Sequence, residues 1–117
     1  MGKILLYNVN MMKVSGITKV ASSLGHQVMV VEPEFYGAPI GQVAMGKANS
    51  KYKSTSISGE MMVMVGLFGK SLDEFIDNYN AAGIPKIICK AVLTPSNSLM
   101  NAKQLFEELE EHSQKMK

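Results

Sequence analysis

The side chains best placed to bind a ligand or to react lie where an apolar stretch runs into a turn, between Lys90 and Asn97. Thr94, Ser96 and Asn97 place hydroxyl and amide groups where a helix is predicted to begin, and a helix N-terminus offers free amides to an anion. Lys90 lies inside the apolar stretch, so it must reach a sheet edge, pair with a carboxylate or serve a function. A turn and a helix cap are the simpler interpretation of these residues, and an anion-binding corner is the functional hypothesis.

The other reactive side chains form no catalytic or metal-binding pattern. His26 and His112 have no neighbours at metal-ligand spacing. Cys89 is the one cysteine and lies in an apolar run, which is typical of a buried, inert thiol. We therefore expect no metal ion, no cofactor and no catalytic residue. Were the protein an enzyme, Lys90 and the two hydroxyl groups of the corner would be its reactive groups.

The composition is that of one globular domain. With 117 residues, 46% of them hydrophobic and 19% charged, the chain can bury one core but not two. No apolar run approaches the length of a membrane span, and the start of the chain lacks the pattern of a signal peptide. We therefore expect a single cytoplasmic domain over residues 1–117, without a membrane partner.

The basic residues argue against a nucleic-acid partner. All 12 are lysine, so the side chain best suited to bidentate recognition of phosphate and guanine is missing. The formal net charge is only +2, and no aromatic residues are interleaved with the lysines in the manner of an RNA-binding surface. We expect no binding to nucleic acid.

Apolar periodicity predicts alternating strands and helices. Strands that are apolar on both faces are expected at residues 3–9, 27–31, 61–67 and 86–93. Helices are expected at residues 14–24, 39–46 and 71–83 and after the corner, where an apolar stripe runs from Leu99 to Met116. Ser71 and Glu74 fit a capping box for the helix at 71–83. The segment 47–59 is polar and rich in serine and lysine, which predicts a mobile loop.

Two folds fit this order of elements. Strands covered on both faces favour a small three-layer α/β/α fold with a mainly parallel four-stranded sheet in the order 2-1-3-4. The alternative is a ferredoxin-like βαββαβ fold with an added C-terminal helix, whose antiparallel sheet has one open face. In the parallel sheet, Asn8 and Asn10 at the end of the first strand would face Thr94, Ser96 and Asn97 across one crevice. In the antiparallel sheet, the two groups would lie at opposite edges.

The favoured function is a ligand-binding or regulatory module for a small anionic metabolite. The expected ligand-binding residues are Asn8, Asn10, Lys90, Thr94, Ser96 and Asn97. The alternative is a protein–protein interaction module or a homo-oligomer, such as a homodimer, without small-molecule chemistry, which would use a methionine-rich surface and the basic segment 47–53. Met61, Met62 and Met64 lie in a strand pattern and are interpreted as core residues.

The second half of the sequence resembles a known family of short bacterial proteins. The residues that carry the resemblance are Met61–Leu67, Leu72, Asp73, Phe75, Gly83–Pro85, Lys90–Asn97 and Leu109–His112. Together they are similar to DUF3783, a domain of unknown function, over about residues 60–113. The resemblance implies a shared fold over that segment and implies no activity, substrate or partner.

Overall fold

A four-stranded sheet lies between two helical layers in the computed structural model, which describes residues 2–48 and 51–115, and side chains as far as His112. The strands are β1 (Lys3–Tyr7), β2 (Gln27–Val30), β3 (Met61–Val65) and β4 (Cys89–Val92). The helices are α1 (Met11–Ser23), α2 (Ile40–Ala44), α3 (Lys70–Ala81) and α4 (Ala102–Lys115), with 3₁₀ turns at Pro33–Phe35 and Asn97–Leu99. The predicted stripe residue Met116, and Asn49 and Ser50 of the predicted loop, lie outside the described residues.

Both faces of the sheet are covered, because the central strands alternate buried side chains between two cores. On one face, Ile4 and Leu6 of β1 pack with residues of α1 and α3, among them Ile17 and Phe75. On the other face, Leu5 packs against residues of α2 and α4. The three-layer α/β/α prediction and the strand order β2-β1-β3-β4 are therefore confirmed. The ferredoxin-like alternative, which needs an open face, does not occur.

The sheet is mixed rather than mainly parallel. β1 pairs with β2 in parallel and β3 with β4 in parallel, but β1 and β3 are antiparallel. The reason lies in the path of the chain between β2 and β3. This connection first descends to the start of β1, where the Lys3 ammonium donates to the Ala44 carbonyl. It then returns to the end of β1, where the Asn8 side chain donates to the Gly59 carbonyl at 3.0 Å. The connection therefore runs along the sheet in one direction and back again, and β3 begins at the edge where β1 ends.

The two halves of the chain repeat one arrangement of elements. The first half (residues 3–44) and the second half (residues 61–115) each run strand, helix, strand, 3₁₀ turn, helix. The pairing register also repeats, since Ile4 of β1 faces Val28 of β2 as Met62 of β3 faces Lys90 of β4. The antiparallel β1–β3 pair, centred on Leu5 and Val63, therefore lies on an approximate two-fold axis. Val28 and Lys90 occupy equivalent positions in the two halves.

The start of α3 differs from its prediction. Ser71 does not form a capping box with Glu74, because α3 begins one residue earlier, at Lys70. The Ser71 hydroxyl instead accepts from the Phe68 amide and donates to the Phe68 carbonyl. Gly69 precedes the helix with φ of 51°, a backbone conformation that glycine adopts without strain. The turn therefore closes locally, without the Glu74 carboxylate.

The return of the connection depends on a close backbone approach at Gly37. A Cβ atom at this position would lie 1.9 Å from the Lys53 carbonyl oxygen, and backbone cannot move aside as a flexible side chain can. We expect Gly37→Ala to lower the free energy of unfolding by about 1–3 kcal/mol, measured by urea titration. Gly59→Ala is the control, because its Cβ would meet only the Phe106 ring, at 3.1 Å. Equal stability losses in the two variants would contradict this account.

Candidate functional site

The predicted corner is a self-contained turn. The Thr94 amide donates to the Asn97 side-chain oxygen at 2.8 Å, and the Asn97 amide donates to the Thr94 hydroxyl at 3.1 Å. The Asn97 side-chain nitrogen donates to the Val92 carbonyl at 3.0 Å. Ser96 is exposed. The side chains of Thr94 and Asn97 therefore close the exit from β4, and they are engaged with the backbone rather than directed to a ligand.

The last helix does not begin at this corner. Asn101 and Gln104 form a reciprocal capping pair, each side chain accepting from the other's amide at 2.9 Å. The helix α4 follows at Ala102. The prediction that Thr94–Asn97 opens this helix was therefore wrong, because a 3₁₀ turn at Asn97–Leu99 separates the corner from the cap.

Asn8 and Asn10 lie at the opposite edge of the sheet from the corner. Asn10 caps α1 by accepting from the Met12 amide at 2.9 Å, and its own amide donates to Glu60 at 2.8 Å. The Asn8 side chain holds the carbonyls of Ile57 and Gly59. The crevice predicted between these asparagines and the corner does not form, because the antiparallel β1–β3 pair sends the ends of β1 and β4 to opposite edges.

Substitution of Asn97 tests the structural role of the corner. We expect Asn97→Ala to lower the free energy of unfolding by about 1–2 kcal/mol, since it removes side-chain bonds to the Thr94 amide and the Val92 carbonyl. Urea titration monitored by circular dichroism measures the loss. Ser96→Ala at the same exposed turn is the matched control and should be neutral. A larger loss from Ser96→Ala than from Asn97→Ala would contradict the assignment.

Lys90 lies at a cavity of its own. β4 is an edge strand, and the half-buried Lys90 shares the lining of a cavity of about 320 Å³ with Lys86 and Asn80. The remaining lining is Met62, Ile76, Tyr79 and Ile87. We call this space, between α3 and the edge of β4, the Lys90 cavity. It combines apolar walls with two ammonium groups and one amide, which is the usual make-up of a small-ligand site.

The charge in the Lys90 cavity is not compensated by a carboxylate. Burial, and then the positive charge of Lys86, lower the pKa of Lys90 below its ordinary value of 10.5. Among the described residues, neither lysine side chain takes part in an ion pair or a hydrogen bond. Lys13 provides the contrast, because Glu60 lies 2.5 Å from its ammonium group. The cavity therefore brings two positively charged groups close together, the half-buried ammonium group of Lys90 and the exposed ammonium group of Lys86.

Tyr79 fixes the segment that carries Lys86. Its hydroxyl donates to the Pro85 carbonyl at 2.7 Å and lies against the backbone N–H of Ile87. Burial raises the pKa of this hydroxyl, as does the charge of Glu60, so it stays protonated at neutral pH. This one hydroxyl group therefore contacts the backbone on both sides of Lys86. The arrangement holds the approach to β4 at a set distance from α3.

A larger cavity of about 520 Å³ lies at the other side of this segment. Its lining includes Lys13, Glu60 and Met12. Hydrogen bonds from Lys13 and the Asn10 amide lower the pKa of the Glu60 carboxyl, against the opposing effect of its burial. The lysine and the carboxylate neutralise each other here, so this larger cavity lacks the uncompensated charge of the Lys90 cavity.

Sequence analysis found Lys90 but missed its partners. Lys86 precedes the strand and Asn80 lies on α3, so only the packing of α3 beside β4 brings the three together. The predicted strand at 86–93 placed Lys86 and Lys90 on one element, but β4 begins at Cys89 after a bend at Ile88, so strand alternation alone does not relate the two lysines. The interpretation of the methionines of β3 as core residues is confirmed. Met61, Met62 and Met64 are at most 3% exposed and belong to the core.

In a comparison with known families, residues 60–116 match DUF3783, a domain of unknown function. This confirms the family resemblance of the second half of the sequence. No curated protein and no solved structure matches the chain. Within the part of the chain that the structure describes, no helix has the length and apolar character needed to cross a membrane.

Proposed function

Given that residues 60–116 match DUF3783, a family without an assigned activity, we propose from the geometry that the protein binds a small anionic metabolite in the Lys90 cavity. The observation that carries the proposal is the pair of lysines, Lys86 and Lys90, that line one cavity without a carboxylate. The Asn80 side chain supplies a further donor at its rim. A carboxylate or a phosphate ester would neutralise the pair and accept hydrogen bonds from all three residues.

The two-fold repeat supports a functional origin for Lys90. Its equivalent in the first half is Val28, which is half-buried against the core and packs as an ordinary strand residue. The fold itself therefore accommodates an apolar side chain at this position. A lysine there costs desolvation free energy, and binding of an anion provides a reason for that cost. Of the predicted ligand-binding residues, the proposal keeps Lys90 and adds Lys86 and Asn80.

Titration of ¹⁵N-labelled protein with inorganic phosphate, lactate and citrate tests the proposal. We expect amide shifts at Asn80, Lys86 and Lys90, which weaken with added sodium chloride because the attraction is partly screened. Lys90→Met retains the length of the side chain and removes its charge. It should weaken binding about 10- to 100-fold, the range expected for loss of one charge-assisted hydrogen bond.

The matched control is Lys70→Met, which removes an exposed lysine at the start of α3 and should leave the affinity unchanged. Shifts that map to Asn8 and Asn10, or to the corner at 94–97, would refute the Lys90 cavity as the site. So would unchanged affinity in Lys90→Met. A cytoplasmic location belongs to the same proposal, since small anionic metabolites are abundant there and the buried Cys89 is a free thiol.

A second candidate function is self-association. The observation that favours it is the exposure of two adjacent methionines at the start of α1, where Met11 is 72% and Met12 85% exposed. Burial of these side chains between two copies would remove apolar surface from water. Light scattering across a concentration series measures the mass, and Met12→Lys should shift any dimer towards monomer. A monomer at all concentrations would rule this candidate out.

A further inference from the structure

The two lysines of the Lys90 cavity differ in their exposure to solvent. Lys86 is exposed, whereas Lys90 projects from an edge strand into the space beside α3 and is half-buried. The apolar side chains Met62, Ile76 and Ile87 lie around it. Tyr79 contributes little further hydrogen-bonding capacity, because its hydroxyl already donates to the Pro85 carbonyl. One amine therefore lies among apolar groups, while a second, hydrated ammonium lies at the entrance.

We propose that the ε-amino group of Lys90 forms an imine with a small carbonyl compound that also carries a carboxylate or a phosphate group, and that Lys86 holds the anionic group. The inference rests on the proposed function, because it uses the same cavity and the same electrostatic attraction. The inference goes beyond the proposed function because it assigns a covalent bond to Lys90 and limits the ligand to anions that contain an aldehyde or ketone.

The chemistry is a condensation. The uncharged amine of Lys90 attacks the carbonyl carbon, and a carbon–nitrogen bond forms as the carbonyl oxygen takes up a proton. The resulting carbinolamine loses this oxygen as water, and a carbon–nitrogen double bond remains. Both hydrogens of the amine leave in that water molecule. One amine and one carbonyl give one imine and one water, so no oxidant or reductant is consumed.

The surroundings favour this reaction at Lys90 over the other lysines. An amine must be uncharged to attack a carbonyl, and burial together with a neighbouring cation increases its uncharged fraction. Both conditions hold for Lys90, whose pKa is lowered by burial and then by Lys86. Lys13 is half-buried as well, but its ammonium group is paired with the Glu60 carboxylate. Lys70 is exposed to solvent and serves as a reference amine on α3.

Reductive trapping tests the inference on the full chain. The protein is incubated with sodium cyanoborohydride and pyruvate, or with glycolaldehyde phosphate, and the reduced adduct is located by peptide mass mapping. The two compounds distinguish a carboxylate ligand from a phosphate ligand. We expect pyruvate or glycolaldehyde phosphate to label Lys90 at least about tenfold faster than Lys70. Acetaldehyde, a carbonyl compound without an anionic group, should label Lys90 more slowly than the better of the two anions.

Two variants separate the roles of the lysines. Lys90→Arg keeps the positive charge and should abolish the adduct while retaining binding of lactate. Lys86→Ala should slow labelling by the anionic compound more than labelling by acetaldehyde, because the loss of the neighbouring cation lowers the uncharged fraction of Lys90 in both reactions while the hold on the anion is lost only in the first. Adducts spread equally over Lys90 and Lys70 would overturn the inference. So would labelling by acetaldehyde that is as fast as labelling by the better of the two anions.

The result also distinguishes this inference from the proposed function. If phosphate and lactate shift the amides of the Lys90 cavity but no adduct forms on Lys90, the imine is refuted and the anion site stands. If no anion shifts those amides and acetaldehyde labels Lys90 as fast as pyruvate, the proposed function fails. In that case the restriction of the imine-forming ligand to anions is refuted together with the proposed function.

Discussion

Replacement of Phe75 by alanine is expected to lower the free energy of unfolding by about 3–5 kcal/mol, the range for truncation of a buried aromatic residue. Phe75 is 0% exposed and, with Tyr79, is one of the two buried aromatic residues that α3 contributes to the core shared with α1 and the sheet. Its ring packs edge-on against Tyr79, with centroids 6.3 Å apart. The loss therefore combines a cavity with weaker support for Tyr79. Chemical denaturation measured at several urea concentrations gives the value.

Phe68→Ala is the matched control, since the Phe68 side chain is 68% exposed and its truncation should change stability by less than about 0.5 kcal/mol. A functional consequence follows as well. Because Tyr79 holds the segment of Lys86 through Pro85, Phe75→Ala should weaken anion binding although Phe75 lies outside the cavity lining. Equal stability of the two variants would contradict the role assigned to Phe75.

Tyr7→Phe is expected to raise stability by about 1–3 kcal/mol, the cost of a buried polar group without a partner. The Tyr7 hydroxyl is buried and has no hydrogen-bond partner among the described residues. The neighbouring Tyr36, whose ring lies 5.4 Å away, differs because its hydroxyl lies against the Asn8 amide. Tyr36→Phe should therefore be neutral or destabilising. Urea titration of both variants checks this, because Tyr7→Phe should raise the free energy of unfolding and Tyr36→Phe should not.

The same hydroxyl predicts a response to alkaline pH. Burial, and then Tyr36, raise the pKa of Tyr7 far above its ordinary value of 10.0. Above pH 10 the unfolded chain releases this proton and the folded chain keeps it, so the unfolded state binds fewer protons. Stability should then fall with rising pH by up to about 1.4 kcal/mol per pH unit. Below pH 10 the contribution is constant.

The difference between the wild type and Tyr7→Phe isolates this effect. Tyr36 and Tyr79 also have raised pKa values, and Lys90, whose pKa is lowered, acts in the opposite direction. All three are common to both proteins. The gain in stability from Tyr7→Phe should therefore widen between pH 10 and pH 11. A gain that does not change over this interval would mean that Tyr7 ionises equally in the folded and unfolded states.

The strand order and the layers could be predicted because they follow from burial. β1 and β3 are apolar on both faces, so they must be central and covered on both sides. The direction of β3 could not be predicted, because burial on both faces specifies no direction. It depends on the path of the irregular segment between β2 and β3. The α-helix α2 in that segment has five residues and is roughly 7 Å long. The return of the segment past Gly37 and Asn8 is set by tertiary contacts.

The candidate site was only partly visible in the sequence for a similar reason. Lys90 stood out because a lysine in an apolar strand conflicts with its surroundings, and such conflicts concentrate at functional positions. The corner drew attention through residues that make good turns, and in the structure Thr94 and Asn97 make one. Asn80 and Lys86 could not be identified, because each is ordinary on its own element. Their contribution arises from the packing of α3 beside β4.

The antiparallel β1–β3 pair also bears on what the family match means. Residues 60–116 contain β3, α3, β4 and α4 but not β1. If this segment were excised from the chain, β3 (Met61–Val65) would keep its pairing with β4 but lose its pairing with β1. An apolar strand edge would then be exposed. Since the two halves share one register, a second copy of the excised segment could take the place of β1. Truncation at residue 60 would then create a self-complementary edge.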